Sequence, residues 1–460
     1  MGRVERLATE GIGRLLVEFS LPAIAGMLVT ALYNVVDRIF VGNWVGSDGI
    51  AAVSICFPVM LIMMAFGMLI AFGGTSLVAI RLGQGRRQEA EQVLGNALTL
   101  YLLLAASFTS FGLLFMSPLL RLFGASGTVL PLAEEYLTII LLGVLVHEIS
   151  FGMSNFIRSD GNPHAAMLTM LLGAGINLLL DPLFIVVLHW GIRGAALATV
   201  LAQSISAAWV MTYFLGGKSA LKLRAANLRL RPGLVRQIAV AGTPPWVMAL
   251  AASAIQAILN NRLQLYGGEL AVTVMGIIFS IYALVKMPIA GISQGAQPII
   301  GYNYGTLRFG RVRQTLLLAI IAATVFVVLC FAAVELQSAR LIRLFNPNDR
   351  ELARMGSQAI RIFLSMLPLV GFQMVSANYF QAVGKPRVAT LLTLSRQVLL
   401  LMPLVLILPH FFGLTGIWLA APVAELVAAL LSGIFLIREL RRLGVNPARA
   451  KICPRQTSQP

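Results

Sequence analysis

Asn34 and Asp37 stand three residues apart, and Asn177 and Asp181 four apart, inside runs that are otherwise apolar. On a helix either spacing places both side chains on one face. An acid near the middle of a bilayer costs at least about 2.5–3.5 kcal/mol by insertion scales, so it faces protein or water and has a task. A carboxylate shielded from water holds a proton more readily than a solvated one. It can then load a proton at one surface and release it at the other. Carboxylate and amide oxygens also suit a hard cation such as Na+. The plainer reading makes Asp37 a helix end beside Arg38, and Asp181 a structural group before Pro182. Two Asn/Asp pairs in one half of the chain favour the ion-coupling reading.

Further polar stripes accompany these pairs. Thr199 and Gln203 are four apart, and Glu148, Gly152 and Asn155 fall at i, i+4 and i+7, again one helical face. Asn34, Asp37, Asn155, Asn177, Asp181 and Thr199 are therefore expected to form an ion-coupling group, with Asp37 and Asp181 as the only acids that would hold Na+. Glu148 and Lys286 are expected to line a cavity for an organic cargo, together with Tyr33, Gln256, Met60 and Met64. Lys286 is too deep in its run to reach a headgroup comfortably; pairing with a buried acid is its alternative. The methionines offer an adaptable surface, although Met is also ordinary bilayer filler. No His, Cys or acidic set has zinc-like spacing, and the three cysteines imply no disulfide framework. No metal or cofactor is expected beyond H+ or Na+ as coupling ion.

The elements that must position these residues follow from composition. Of 460 residues, 58% are hydrophobic and 12% charged, against about 25% charged in a soluble domain. Charged cover runs out long before the apolar surface is hidden, which excludes a soluble enzyme, a disordered chain and a disulfide scaffold. The net charge of +17 lies between apolar runs rather than on one face, so it reads as membrane topology and not as nucleic-acid binding. A bilayer core needs about 20 apolar residues per helix, and twelve such runs occur between about residues 15 and 437. The fold class is an all-α integral membrane protein. Pro and Gly interrupt many runs, which suits a transporter more than a static anchor. Basic residues crowd alternate connections (Arg3, Arg6 and Arg14, then Arg81, Arg86 and Arg87, then the 217–236 segment and the tail). That bias places both termini in the cytoplasm.

The chain also repeats itself. Pro22 matches Pro244, Gly83 matches Gly305, Leu119–Phe123 matches Leu341–Phe345, and Gly191 and Gly194 match Gly413 and Gly416, all at an offset of 222 residues. Six spans per half is an even number, so both halves insert the same way up and a pseudo-twofold runs along the membrane normal. The expected layout is an N-terminal six-helix lobe over 1–216, a basic cytoplasmic linker over 217–236, a second lobe over 237–440 and a cytoplasmic tail over 441–460. The halves differ in chemistry. Leu259 stands where the first half has Asp37, and the second lobe carries neutral Gln256, Asn260, Gln294, Gln297, Gln373 and Asn378. An internal ion pair is expected among Arg361, Arg396 and Glu425.

Specific motifs resemble multidrug and toxic compound extrusion (MATE) transporters of the MepA-like branch. They are Leu21-Pro22 through Tyr33-Asn34 to Asp37 and Val41-Gly42; Gly73-Gly74-Thr75 leading to Gly83-Gln84-Gly85; Asn177 to Asp181-Pro182; and Pro288 through Gln294-Gly295-Ala296-Gln297-Pro298 to Tyr302-Asn303-Tyr304-Gly305. The likeness covers essentially the whole chain. It implies a twelve-helix, two-lobed antiporter without ATP, which exports amphipathic, often cationic compounds from the inner cell membrane. It implies proton or Na+ coupling at Asp37, a bend at Pro22, and a helix 5 motif at Asn177 and Asp181. Some members carry acids in helices 7 and 10; Gln256 and Gln373 stand nearest here, which argues against a second-lobe cation site. A monomer is expected. The alternatives are an exporter of lipid-linked or polysaccharide precursors, a major-facilitator transporter and, less well supported by any motif, a membrane enzyme.

Overall fold

The computed structural model describes residues 5–45, 47–123, 125, 129–217, 219–343 and 350–445. Long apolar runs become long helices because, without water, the backbone must satisfy its own hydrogen bonds. After a short helix, Arg6–Thr9, come α1 (Ile12–Phe40), α2 (Ser47–Gly83) and α3 (Arg87–Leu114). The fourth span, α4, is a pair, Val129–Leu142 and Val144–Ser159, bent by 55°. Then follow α5 (Pro163–Asp181) and α6 (Gly191–Leu215). The helix Pro232–Gly305 is broken at Gly268, whose φ of 65° is non-helical, and divides into α7 (Pro232–Gly268) and α8 (Leu270–Gly305). After α9 (Phe309–Arg343), α10 is a second bent pair, Arg350–Phe363 and Leu367–Ala382, at 46°.

The last stretch, Pro386–Arg442, is 57 residues long, far more than one bilayer crossing needs. Gly413, at φ 54°, breaks it into α11 (386–412) and α12 (414–445). Among the described residues nine helices are long and apolar enough to cross a membrane, or eleven with the bent pairs; the break at Gly413 makes the layout consistent with the expected twelve. Pro22 lies inside α1 without interrupting it. The helix of α12 continues to Val445, past the expected start of the tail, and residues 446–460 lie outside the described residues.

The two halves form two lobes, α1–α6 and α7–α12, and the internal symmetry reaches the backbone. Gly191 and Gly413 have φ of 55° and 54°, and Gly161 and Gly384 have φ of 84° and 74°. Gly85 at φ 74° is mirrored by Leu307 at φ 60°, a conformation that glycine accepts and leucine resists. Gly83 and Gly305, the ends of α2 and α8, meet at the axis itself. A methyl group on Gly83 would strike the Tyr302 carbonyl, and one on Gly305 would strike the Ile80 carbonyl.

The face that carries these two glycines also carries the short N-terminal helix and the connection between the lobes; we call it the basal face. Here the lobes are sealed together. Arg311 donates to the Leu7 and Glu10 carbonyls (3.1 and 2.6 Å), Arg308 to the Ala8 carbonyl (2.6 Å) and Asn303 to the Leu7 carbonyl (2.9 Å). These donors satisfy carbonyls that the end of a short helix leaves open. Ser76 donates to the Gln381 carbonyl at 2.6 Å, and Gly291 and Gly295 of α8 pack on Ile24 and Ser20 of α1. The connection between lobes is not the loose linker that composition suggests. Asp160 accepts from Tyr213 and Ser219 hydroxyls (2.8 and 2.9 Å) and from the Ala220 and Leu221 amides (both 3.1 Å). Asn96 of α3 then bonds the Asn227 and Arg229 carbonyls and the Arg231 amide.

Candidate functional site

The first lobe gathers its polar residues from four helices. Asn177 and Asp181 sit one turn apart on α5, and the Asn177 amide donates to Asp181 Oδ1 at 3.2 Å. The same amide reaches Thr199 Oγ1 of α6 at 3.4 Å. Asp37 of α1 lies within side-chain hydrogen-bonding contact of Asp181. Tyr136 of α4 stands within electrostatic reach of Asp37, Asp181 and Tyr33. Asp181 is fully buried, Asn177 and Tyr136 nearly so, and Asp37 is half-buried. The Asn177 carbonyl oxygen has no hydrogen-bond partner among the described residues. The side chain of Asn34 lies outside the described residues.

Backbone irregularity marks this site. The α-helix of α5 ends at Asp181, and Pro182–Val187 continue as a π-helix. Residues Val41–Val45, after α1, are π-helical as well. Such wide turns concentrate at functional positions. Two carboxyl groups within hydrogen-bonding reach can hold one proton between them, because like charges so close resist ionising together. The group can therefore bind one H+ between Asp37 and Asp181. Its oxygens, with those of Asn177 and Thr199, also have the chemistry that a hard cation such as Na+ requires.

Not all expected members join. Asn155 sits elsewhere: its Oδ1 accepts from Arg158 at 3.1 Å, and Arg158 also donates to Gln294 of α8 at 2.7 Å. That bond crosses from one lobe to the other, with Arg158 only 4% exposed. Glu148, expected at the cavity, is 0% exposed and packs against Gly67 of α2, where even a methyl group would collide with its carboxylate. Ile149–Met153 within this stripe form a π-helix; Glu148 and Gly152 lie against Gly67 and Tyr101, which bond each other, while Asn155 turns to Arg158. Met60 and Met64 are half-buried on α2, and Gln256 is exposed on α7, where it donates to Asn260 at 3.1 Å.

The second lobe has a charged cluster of its own. Arg396, within the π-helical stretch Ser395–Leu401 of α11, pairs with Glu425 of α12 at 2.9 Å and reaches the Tyr282 hydroxyl at 3.4 Å. Lys286 of α8 lies 5.4 Å from the centre of the Tyr282 ring. Arg361 stays apart, with Ser338 and Glu335. Sequence reasoning missed Tyr136, Arg158 and Asp160. Each lies in or beside an apolar run, and the partners that matter for Tyr136 and Asp160 are distant in sequence; only Arg158 has one at helical spacing, Asn155, three residues before it.

Two lobes in parallel repeat, a sealed basal face and a buried acidic group together define a multi-pass membrane transporter, not an enzyme. The MatE family model matches twice, over residues 22–183 and 244–407, one match in each half with starts 222 residues apart; the chain belongs to this family. The multidrug export protein MepA of Staphylococcus haemolyticus is 28% identical over 95% of this chain and 96% of its own length. Among solved structures, the MATE multidrug transporter DinF-BH in complex with R6G is 41% identical, with a TM-score of 0.89 over 96% of this chain and 99% of that one. An outward-facing multidrug resistance MATE transporter superposes with a TM-score of 0.91 at 27% identity, over 97% of this chain and 99% of that one.

Proposed function

We propose that the protein is a secondary antiporter that exports amphipathic organic compounds, cationic ones among them, in exchange for inward-moving H+. The observation that carries this reading is the contact between Asp37 and Asp181, which joins α1 to α5 through a group that one proton can bridge. Na+ is the alternative coupling ion at the same oxygens. Relatives named as multidrug export proteins and a relative holding R6G support the cargo class. With the basal face in the cytoplasm, as the basic connections favour, the basal seal corresponds to a state open to the outside. In this reading the protein works as a monomer in the inner cell membrane.

Coupling requires that proton and cargo prefer different states of the lobes. Loss of the bridging proton leaves two carboxylates in repulsion, which separates α1 from α5; cargo binding to the open charges and rebinding of the proton then exclude one another. A single charge supplies about 2.3 kcal/mol per 100 mV, and one pH unit supplies about 1.4 kcal/mol per proton. At 100 mV and one pH unit, one proton thus supports roughly a five-hundredfold gradient of a neutral cargo. The test is dye export from energised vesicles: Asp37→Asn inserts and folds but loses gradient-driven export more than about tenfold. Undiminished export in that variant refutes the reading, and export that follows Na+ at fixed pH reassigns the ion.

A further inference from the structure

The charges of the second lobe do not cancel. Arg396 and Glu425 form a pair, and Lys286 stands beside them with no ion pair among the described residues. A cation without a counterion in mid-bilayer is costly and marks a pathway or ligand by default. Its place in the fold supports that default. Five residues basal to Lys286, Gly291 begins the stretch of α8 that is packed on α1 of the other lobe, followed by Gln294 with Arg158 and Gly295 with Ser20. Lys286 therefore lies about 7.5 Å along the helix from the start of the seal and about 140° around it from Gly291, so its side chain is turned to Tyr282 and the Arg396–Glu425 pair inside the second lobe. It keeps part of its surface exposed. By the internal repeat, Tyr282 and Lys286 occupy the places of Met60 and Met64, and Glu425 that of Gln203. The second lobe thus carries charge on the wall where the first carries thioethers, while the first carries acids where the second has Leu259 and Pro403.

We propose that Lys286 is the anchor for an anionic group on the cargo, so that amphipathic carboxylates, zwitterions included, are a substrate class of this transporter. The inference rests on the antiport reading and refines it. A zwitterion would place its cationic end toward the acids of the first lobe and its carboxylate on the Lys286 ammonium. The Lys286 ammonium lies 5.4 Å from the centre of the Tyr282 ring, and Glu425 gives its Oε2 to Arg396 at 2.9 Å, with Lys286 outside ion-pair distance among the described residues.

The test uses a matched pair of dyes: rhodamine 110, which bears a free carboxylate, and its methyl ester, rhodamine 123. Equilibrium affinities are measured by fluorescence polarisation on the purified full chain, without any ion gradient. The ratio of acid to ester affinity falls about tenfold in Lys286→Met, which restores the residue type of the matching first-lobe position. Lys286→Arg keeps the ratio within about threefold of wild type. An unchanged ratio in Lys286→Met overturns the proposal, as does a Lys286→Arg variant that behaves like Lys286→Met. Where Lys286→Met does not yield folded protein, Lys286→Gln is read in the same way. Gradient-driven export of the ester by wild type judges the antiport reading separately: its absence strikes that reading, while the gradient-free ratio still decides on Lys286.

Discussion

At the scale of single residues, the spacing rules recover what helices make regular. Asn177 and Asp181 were legible because an uninterrupted α-turn joins them, and the structure records their bond at 3.2 Å. Tyr136 was not, since an aromatic residue in an apolar run is filler until its neighbours in space are known. The proposed shared proton makes a specific demand on mutants. Asp181→Asn and Asp37→Asn each abolish most coupled export, and the double variant loses little more than either alone, because both remove the same bridge; additive losses in vesicle transport would show independent sites. Leu307 offers a second check. Its positive φ costs about 1–2 kcal/mol relative to glycine, and its repeat partner is Gly85. Leu307→Gly should raise thermal stability in detergent by up to about 1 kcal/mol after the greater entropy of the unfolded glycine is deducted; a lower Tm would show that the exposed leucine packs usefully.

At the scale of elements, the helical register was readable only where helices stay α-helical. Four π-helical segments, Val41–Val45, Ile149–Met153, Pro182–Val187 and Ser395–Leu401, lie beside or around the membrane-embedded charges. A period of 3.6 cannot foresee them, nor that Glu148 packs on Gly67 while Asn155 holds Arg158. Likewise the basic connection between lobes reads as a solvated linker, because its ties to Asp160 and Asn96 join residues far apart in sequence. Asp160 is outside the spans, and burial raises its pKa while its four donors oppose that rise. Asp160→Ala leaves the Ala220 and Leu221 amides and the Tyr213 hydroxyl without their acceptor and should cost about 2–4 kcal/mol, measured as a loss of thermal stability; Asp160→Asn, which keeps an acceptor, should cost less.

At the scale of the whole molecule, a duplicated chain has kept its mechanics and divided its chemistry. The twofold layout was evident from loop glycines and prolines, whereas the basal seal was not, because it is made by backbone carbonyls. Arg158 is its most buried charged member, so Arg158→Met should shift the lobes toward the opposite state. In a Ser20→Cys background this is read as several-fold faster labelling by a membrane-impermeant maleimide applied from the basal side; an unchanged rate would show that Arg158 only fills space. A C-terminal reporter should be active only in the cytoplasm, and activity outside would invert the assignment of the basal face. The meeting of Gly83 and Gly305 has one more implication. Where two main chains touch with nothing interposed, the fulcrum has no side chain to rearrange, so its geometry does not depend on what either lobe carries. Acids could accumulate on one side and bases on the other, generation after generation, without altering how the halves roll. The same bare joint would let a lineage change its cargo while inheriting its motion intact.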